Sequence, residues 1–236
     1  MKNILNMIRF LLGFSILIFM IFFAISKINN QYCSIDKIKI DMVDGNEFVT
    51  KGFVQDYLKE KTLDPESMRR KDICFRDIEK ILIDHPSIKQ AEVYSDIFGN
   101  VSIEGFQRRP IVRVQDGKKG YYLDEEGKEM PFSQMYTART LLVTGDVKTV
   151  EQLDLFYFSE YIYKDDFLRD LIVQVDITDS KLLILTRVGE RIEFGNVLEI
   201  DKKFQKLMLY YEKGNPQNKK YRIINLEYNN QIVCKK

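Results

Sequence analysis

The stretch "IRFLLGFSILIFMIFFAI", Ile8 to Ile25, constrains this chain more than any other. It carries one charge, Arg9, near its start, and Ile4 and Leu5 extend the apolar run upstream. About 20 apolar residues cross a bilayer as a helix. A secretory signal has a shorter apolar core and a cleavage site of small residues. Ala24 and Ser26 match that pattern weakly, so residues 8–26 read as an uncleaved anchor. Lys2, Arg9 and the N-terminal amine flank one end, and Lys27 alone lies close to the other. The positive-inside bias then puts residues 1–7 in the cytoplasm and everything after Lys27 outside. No second apolar span follows. The expectation is a single-pass anchor carrying an ectodomain of about 200 residues, room for one or two domains.

The chain as a whole has no charge bias to recruit a polyanion. Lys and Arg total 36 against 35 Asp and Glu, which removes the electrostatic ground for a nucleic-acid binder. Three cysteines, Cys33, Cys74 and Cys234, make no disulfide framework, and no C-x-x-C pair suggests zinc. Asn30-Gln31-Tyr32 before Cys33 are not the small residues of a lipoprotein cleavage site.

Periodicity divides the ectodomain in two. Ile35–Val43 alternates as a half-buried strand, and Asp44-Gly45-Asn46 turns the chain. Thr50 caps a helix with Phe53, Val54, Tyr57 and Leu58 on one face. "CFRDIEKILIDHP" is a second helix, striped by Phe75, Ile78, Ile81 and Leu82 and ended by Pro86. Two alternating strands follow around Phe98-Gly99-Asn100. Strand–helix–helix–strand–strand is a small α+β domain with its helices on one sheet face. Pro110 cannot donate to a ladder, so a boundary is expected at Pro110–Val114.

Beyond it, "GYYLDEEGKEMPFS" reads as two short strands around a turn and "RTLLVTGD" as another strand. "VEQLDLFYFSEYIYKDDFLRD" reads as one helix, with Leu153, Phe156, Tyr157 and Phe158 apolar. "LIVQVDI", "KLLILTR" and "ERIEFG" are strands. A last helix is striped by Ile200, Phe204, Leu207, Met208 and Tyr211, with Gly214 as its C-cap. "EKGNPQNKK" reads as a solvated loop, and two closing strands, Tyr221–Tyr228 and Gln231–Lys235, flank Asn229-Asn230. A strand at the very end of a chain tends to be an edge strand, which is either blunted or used.

The residues assemble no catalytic constellation. The sole histidine, His85, has no partner for a triad or a metal site and reads as a helix-ending loop residue. Asp124-Glu125-Glu126 sits in a turn, and Asp165-Asp166 lies on a solvated helix face. No glycine-rich phosphate loop or nucleophile elbow appears. No cofactor, metal or small-molecule substrate is expected. Arg108-Arg109-Pro110 is a candidate docking patch at a strand end.

"IEKILIDHPSIKQAEVYSDIFGNVSIEGFQRRPIVRV" resembles the POTRA domain of the bacterial division family FtsQ/DivIB. The matching residues are His85, Pro86, Ile88, Ala91, Val93, Ile103, Arg109, Pro110 and Ile111. "YYLDEEGKEMPFS", "LTRVGERIEFGN" and "KKFQKLMLYY" resemble elements of that family's second domain. The resemblance covers nearly the whole chain. It implies a short cytoplasmic tail (1–7), a transmembrane helix (8–26), a POTRA domain of β-α-α-β-β order (35–112) and a mostly antiparallel β domain with flanking helices (113–236). It further implies a non-enzymatic scaffold in the inner membrane at the division septum, its C-terminal ectodomain in the periplasm. FtsB-like and FtsL-like partners would add a strand to Gln231–Lys235. The partner-binding residues carried over are Tyr228, Asn230, Gln231, Ile232, Val233 and Cys234, with Arg108 and Arg109 near the POTRA strand end. The alternative is a POTRA chaperone module of an outer-membrane insertion or secretion system, which would bring tandem POTRA units and a barrel of alternating strands.

Overall fold

A computed structural model describes residues 2–41, 47–117, 119–133, 136–214 and 221–236, with side chains from residue 6. The end of the first expected strand at Val43 and the Asp44-Gly45-Asn46 turn lie outside them, as do residues 215–220 of the expected basic loop. The chain falls into two compact units, Met1–Gln107 and Arg108–Lys236.

The first unit opens with α1 (Lys2–Asn29), whose segment Asn6–Asn29 is long and apolar enough to cross a membrane. Then come β1 (Ser34–Asp41), α2 (Lys51–Glu60), α3 (Phe75–Ile83), β2 (Ile88–Ser95) and β3 (Asn100–Gln107). This is the β-α-α-β-β order expected. β3 is central, parallel to β1 and antiparallel to β2. α2 starts where Thr50 Oγ1 accepts a hydrogen bond from Phe53 N at 3.1 Å, satisfying one of the free donors of the first turn. Val54, Leu58, Ile78 and Leu82 of the helices and Val101 and Ile103 of β3 are buried. Buried Gln107 braces the chain ahead of α2: its Oε1 accepts from Phe48 N at 2.6 Å and Val49 N at 2.9 Å.

The second unit runs β4 (Pro110–Asp116), β5 (Lys119–Asp124), β6 (Glu129–Met130), β7 (Leu141–Gly145), α4 (Gln152–Lys164), α5 (Asp166–Leu171), β8 (Ile172–Thr178), β9 (Lys181–Thr186), β10 (Arg191–Gly195), α6 (Ile200–Leu209), β11 (Ile223–Asn225) and β12 (Val233–Lys235). All nine strands join one sheet in the order β12-β11-β10-β9-β8-β7-β4-β5-β6. Most pairings are antiparallel, but β4–β7, β7–β8 and β10–β11 are parallel. Parallel neighbours need a crossover, and α4–α5 and α6 supply two of them. Residues Arg108–Val112, placed with the first domain from sequence, run with this second unit. Pro110 is the first residue of β4, the position where a strand tolerates a missing donor.

The helices pack where the aromatic residues are. Phe158 of α4, Phe194 of β10 and Phe204 of α6 lie with ring centroids 4.9–5.3 Å apart, all fully buried. The single helix expected over 150–170 is two. Asp165 leaves the helical conformation and caps α5, accepting from Leu168 N at 2.9 Å. Leu153 and Tyr157 of the expected apolar set are exposed. After α6 the chain widens into a π turn, Tyr210–Gly214, which ends at Gly214. The wider turn carries Tyr210 into the core, while Tyr211, on the expected stripe, is half-buried.

Candidate partner-binding edge

The last strand is an edge strand. β12 pairs antiparallel with β11, setting Cys234 opposite Ile224 and Val233 opposite Asn225. Among the described residues no strand pairs with its outer side. It is shorter than the sequence suggests. The expected strands Tyr221–Tyr228 and Gln231–Lys235 shrink to three residues each, with a loop over 226–232. Asn225 ends the first of them. It is a buried polar residue in an apolar run, and it turns its side chain to local bonding. Its Nδ2 donates to Glu193, and its Oδ1 accepts from Glu227 N at 2.8 Å, which bends the chain off the ladder.

Side-chain alternation sorts the carried-over residues. Ile232 and Cys234 pack against the core, so Val233 and Lys235 face away from it. Tyr228, Asn229, Asn230 and Gln231 are exposed, with Asn230 in the left-handed conformation at φ 57°. The loop that carries Tyr228 is braced from α6. Lys206 Nζ donates to Leu226 O at 2.9 Å and to Tyr228 O at 2.7 Å. Burial pushes the Lys206 ammonium below its ordinary pKa. Leu226 N donates to Glu193 O at 2.9 Å, and Lys181 pairs with Glu227 at 3.0 Å. Tyr228 is thus a half-exposed ring on a backbone held at several points, a surface that orders little on binding. Lys206 and Asn225 were missed from sequence. The available signal was Asn225 itself, a polar residue breaking "RIINL".

The two arginines part company. Arg108 is buried, and its guanidinium donates to Asp124 at 2.8 Å and Glu126 at 3.1 Å. Asp124 Oδ1 also accepts from Glu126 N and Lys128 N, both at 2.8 Å, so the pair holds the turn between β5 and β6. Such a residue offers little to a partner, which corrects the expectation of a two-arginine patch. Arg109, with its side chain 40% exposed and 3.6 Å from Glu125, is the one at the surface.

The other candidates for chemistry are accounted for by structure. His85 Nδ1 accepts from Ser87 N at 3.2 Å, and its ring packs against Phe53 and Tyr57 at 4.9 and 5.2 Å. Burial lowers its pKa. Asp166 pairs with Arg169 at 2.5 Å. All three cysteines are free thiols. Among the described residues no group of His, Cys, Asp and Glu is arranged to hold a metal.

Comparison with known proteins agrees with this architecture. The family model described as "FtsQ/DivIB, C-terminal related" matches residues 109–235, and a POTRA-like domain model matches residues 31–104. No curated protein matches by sequence. One similar solved structure is the major extracytoplasmic domain of the trans isomer of the cell-division protein DivIB from Geobacillus stearothermophilus. It is 11% identical, with 48% of this chain and 98% of that one covered and a TM-score of 0.33. A likeness that loose carries no weight here. The family match spans the whole nine-stranded sheet, including the edge strand, and by it this chain belongs to the FtsQ/DivIB C-terminal-related family.

Proposed function

We propose that the chain is a non-enzymatic, single-pass scaffold of the bacterial division machinery, and that β12 takes up an added strand from a partner. The observation that carries this reading is the bare outer side of β12 on a sheet whose family is a division family. An added strand would bond the backbone of Val233–Lys235 and place its side chains beside Val233 and Lys235 on one face and Ile232 and Cys234 on the other. Tyr228 would supply the hot spot, with Asn230 and Gln231 at the rim. Arg109 would serve a second contact. The partners are of FtsB and FtsL type, small membrane proteins of the septum.

In this reading residues 1–7 are a cytoplasmic tail, 8–26 the span, 35–107 the POTRA domain and 108–236 the β domain. The ectodomain lies in the periplasm. The test is a photo-crosslinking residue at Val233 in living cells. The expected adduct is a small single-span protein with coiled-coil heptads. Outer-membrane barrel precursors in the adduct would point to the chaperone reading. No adduct from a folded, anchored chain would mean the edge is merely a terminus.

A further inference from the structure

The turn between β2 and β3 presents Ile97 and Phe98, 71% and 73% exposed. Two adjacent large apolar side chains at a turn tip mark a contact more often than an accident. Their place in the fold is specific. Only residues 30–33 separate the end of α1 from the start of β1. Ser34 N donates to Gly99 O at 3.2 Å, and Ser34 Oγ to Asn100 Oδ1 at 2.8 Å, so the tip sits where the chain leaves α1.

A third segment is fastened at the same place. Cys33 N donates to Met68 O at 3.0 Å, Arg70 N to Gln31 O at 3.0 Å and Lys71 N to Asn29 O at 3.2 Å. Arg70 Nη1 reaches Ile97 O at 2.5 Å. The Arg69 guanidinium lies 5.8 Å from the ring of Tyr32, which is itself 63% exposed. Lys27, Arg69, Arg70 and Lys71 therefore surround Tyr32, Ile97 and Phe98 at the exit of the apolar helix. Exposed acids lie nearby as well, Glu66 and Asp72 on the same fastened segment and Asp36 on β1. Asp96 turns inward, accepting from Phe98 N at 2.8 Å, Asn100 N at 2.9 Å and Asn100 Nδ2 at 2.7 Å, bonds that lower its pKa.

Apolar tip, aromatic ring and a cationic surround are the composition of an interfacial membrane anchor. We propose that this patch seats the first domain on the anionic headgroup layer of the same membrane that α1 spans. The tether selects the occupant. Four residues at about 3.5 Å each cannot carry the patch far from the bilayer. The surface is therefore always within reach, and cations near it gain from anionic lipid. The inference rests on α1 as a span and is independent of strand addition at β12.

The chain has no tryptophan, so one introduced indole is a clean reporter. The full chain carrying Phe98→Trp is reconstituted in vesicles of phosphatidylcholine and phosphatidylglycerol with acyl chains brominated near the headgroup. Ile83→Trp, at the end of α3 beside the far end of β2, is the control, and Ile97→Trp is a second reporter on the tip. The expected result is blue-shifted, quenched emission from the Phe98→Trp chain. The Ile83→Trp chain should emit as it does in bromine-free vesicles. Quenching of the tip reporter should fall when Arg69→Gln and Lys71→Gln are added. Emission from both tip variants no more quenched than from the Ile83→Trp control overturns the proposal. Equal quenching in phosphatidylcholine alone overturns the assignment to anionic headgroups.

Discussion

The nine-stranded sheet has two outer strands, and they are finished in opposite ways. β6 is two residues long and is followed by Pro131, which cannot donate to a further strand. Phe132 then folds back over β5, its ring 5.0 Å from Tyr122 and 4.6 Å from the Arg113 guanidinium. Ala138 N donates to Tyr122 Oη at 3.2 Å, tying down the segment that leaves the edge. Among the described residues β12 has no neighbouring proline, and Lys235 and Lys236 stand at its end. Both outer strands are short, two residues in β6 and three in β12. What sets β6 apart is the proline and the folded-back aromatic ring, and among the described residues β12 carries neither. Lysines discourage pairing with a second copy and leave the backbone open to a partner of suitable charge.

The comparison breaks hardest at Arg108. Arg108→Ala leaves Asp124 buried beside an empty space, with the turn between β5 and β6 losing its brace. Removing one member of a buried pair costs about 3–5 kcal/mol. Urea unfolding of the variant should show that loss, with partner capture at β12 following stability alone. A loss under about 1 kcal/mol, the range of an exposed pair, would mean the closed edge stands without this clamp.

At the open edge the order of effects should invert. Tyr228→Ala should weaken partner binding by about 2 kcal/mol or more, roughly 30-fold, if the ring is a hot spot. Half-exposed as it is, it should change folding by less than about 0.5 kcal/mol. Equal losses in binding and folding would make Tyr228 a packing residue. Gly120→Val returns the test to the closed edge. A Cβ there would overlap the Phe132 ring. Overpacking of this kind costs about 1–3 kcal/mol. The displaced ring should uncover β5, and concentration-dependent self-association in sedimentation should follow. Unchanged sedimentation would show that Pro131 and the shortness of β6 suffice.

The sequence carries some of this contrast and hides the rest. The span, the order of the first domain and the bare last strand follow from apolar length, alternation and position at the chain's end, all local signals. The three parallel pairings do not, because alternation marks a strand without naming its neighbour. The clamp between Arg108 and Asp124 joins residues 16 apart across a strand pair, and a charged residue in sequence looks solvated until its partner is folded against it. Asn225 was visible as a polar residue in an apolar run. Its consequence, the end of β11 and a braced loop, needed Glu193, 32 residues upstream, brought beside it.

The smallest expected effect on folding is the most informative about the open edge. Val233→Lys adds a charge to the face of β12 turned from the core, where the side chain is only half-buried. The ladder to β11 keeps every donor, so stability should move by no more than about 0.5 kcal/mol. A strand arriving on the outer side would meet a third lysine in the span of four residues, the device by which natural sheets blunt their edges. Capture of the partner by the edge should then be lost while the unfolding curve stays in place. Retained capture with an unchanged curve would mean that the partner does not pair with β12. It would leave Tyr228 and the loop braced by Lys206 as the contact instead.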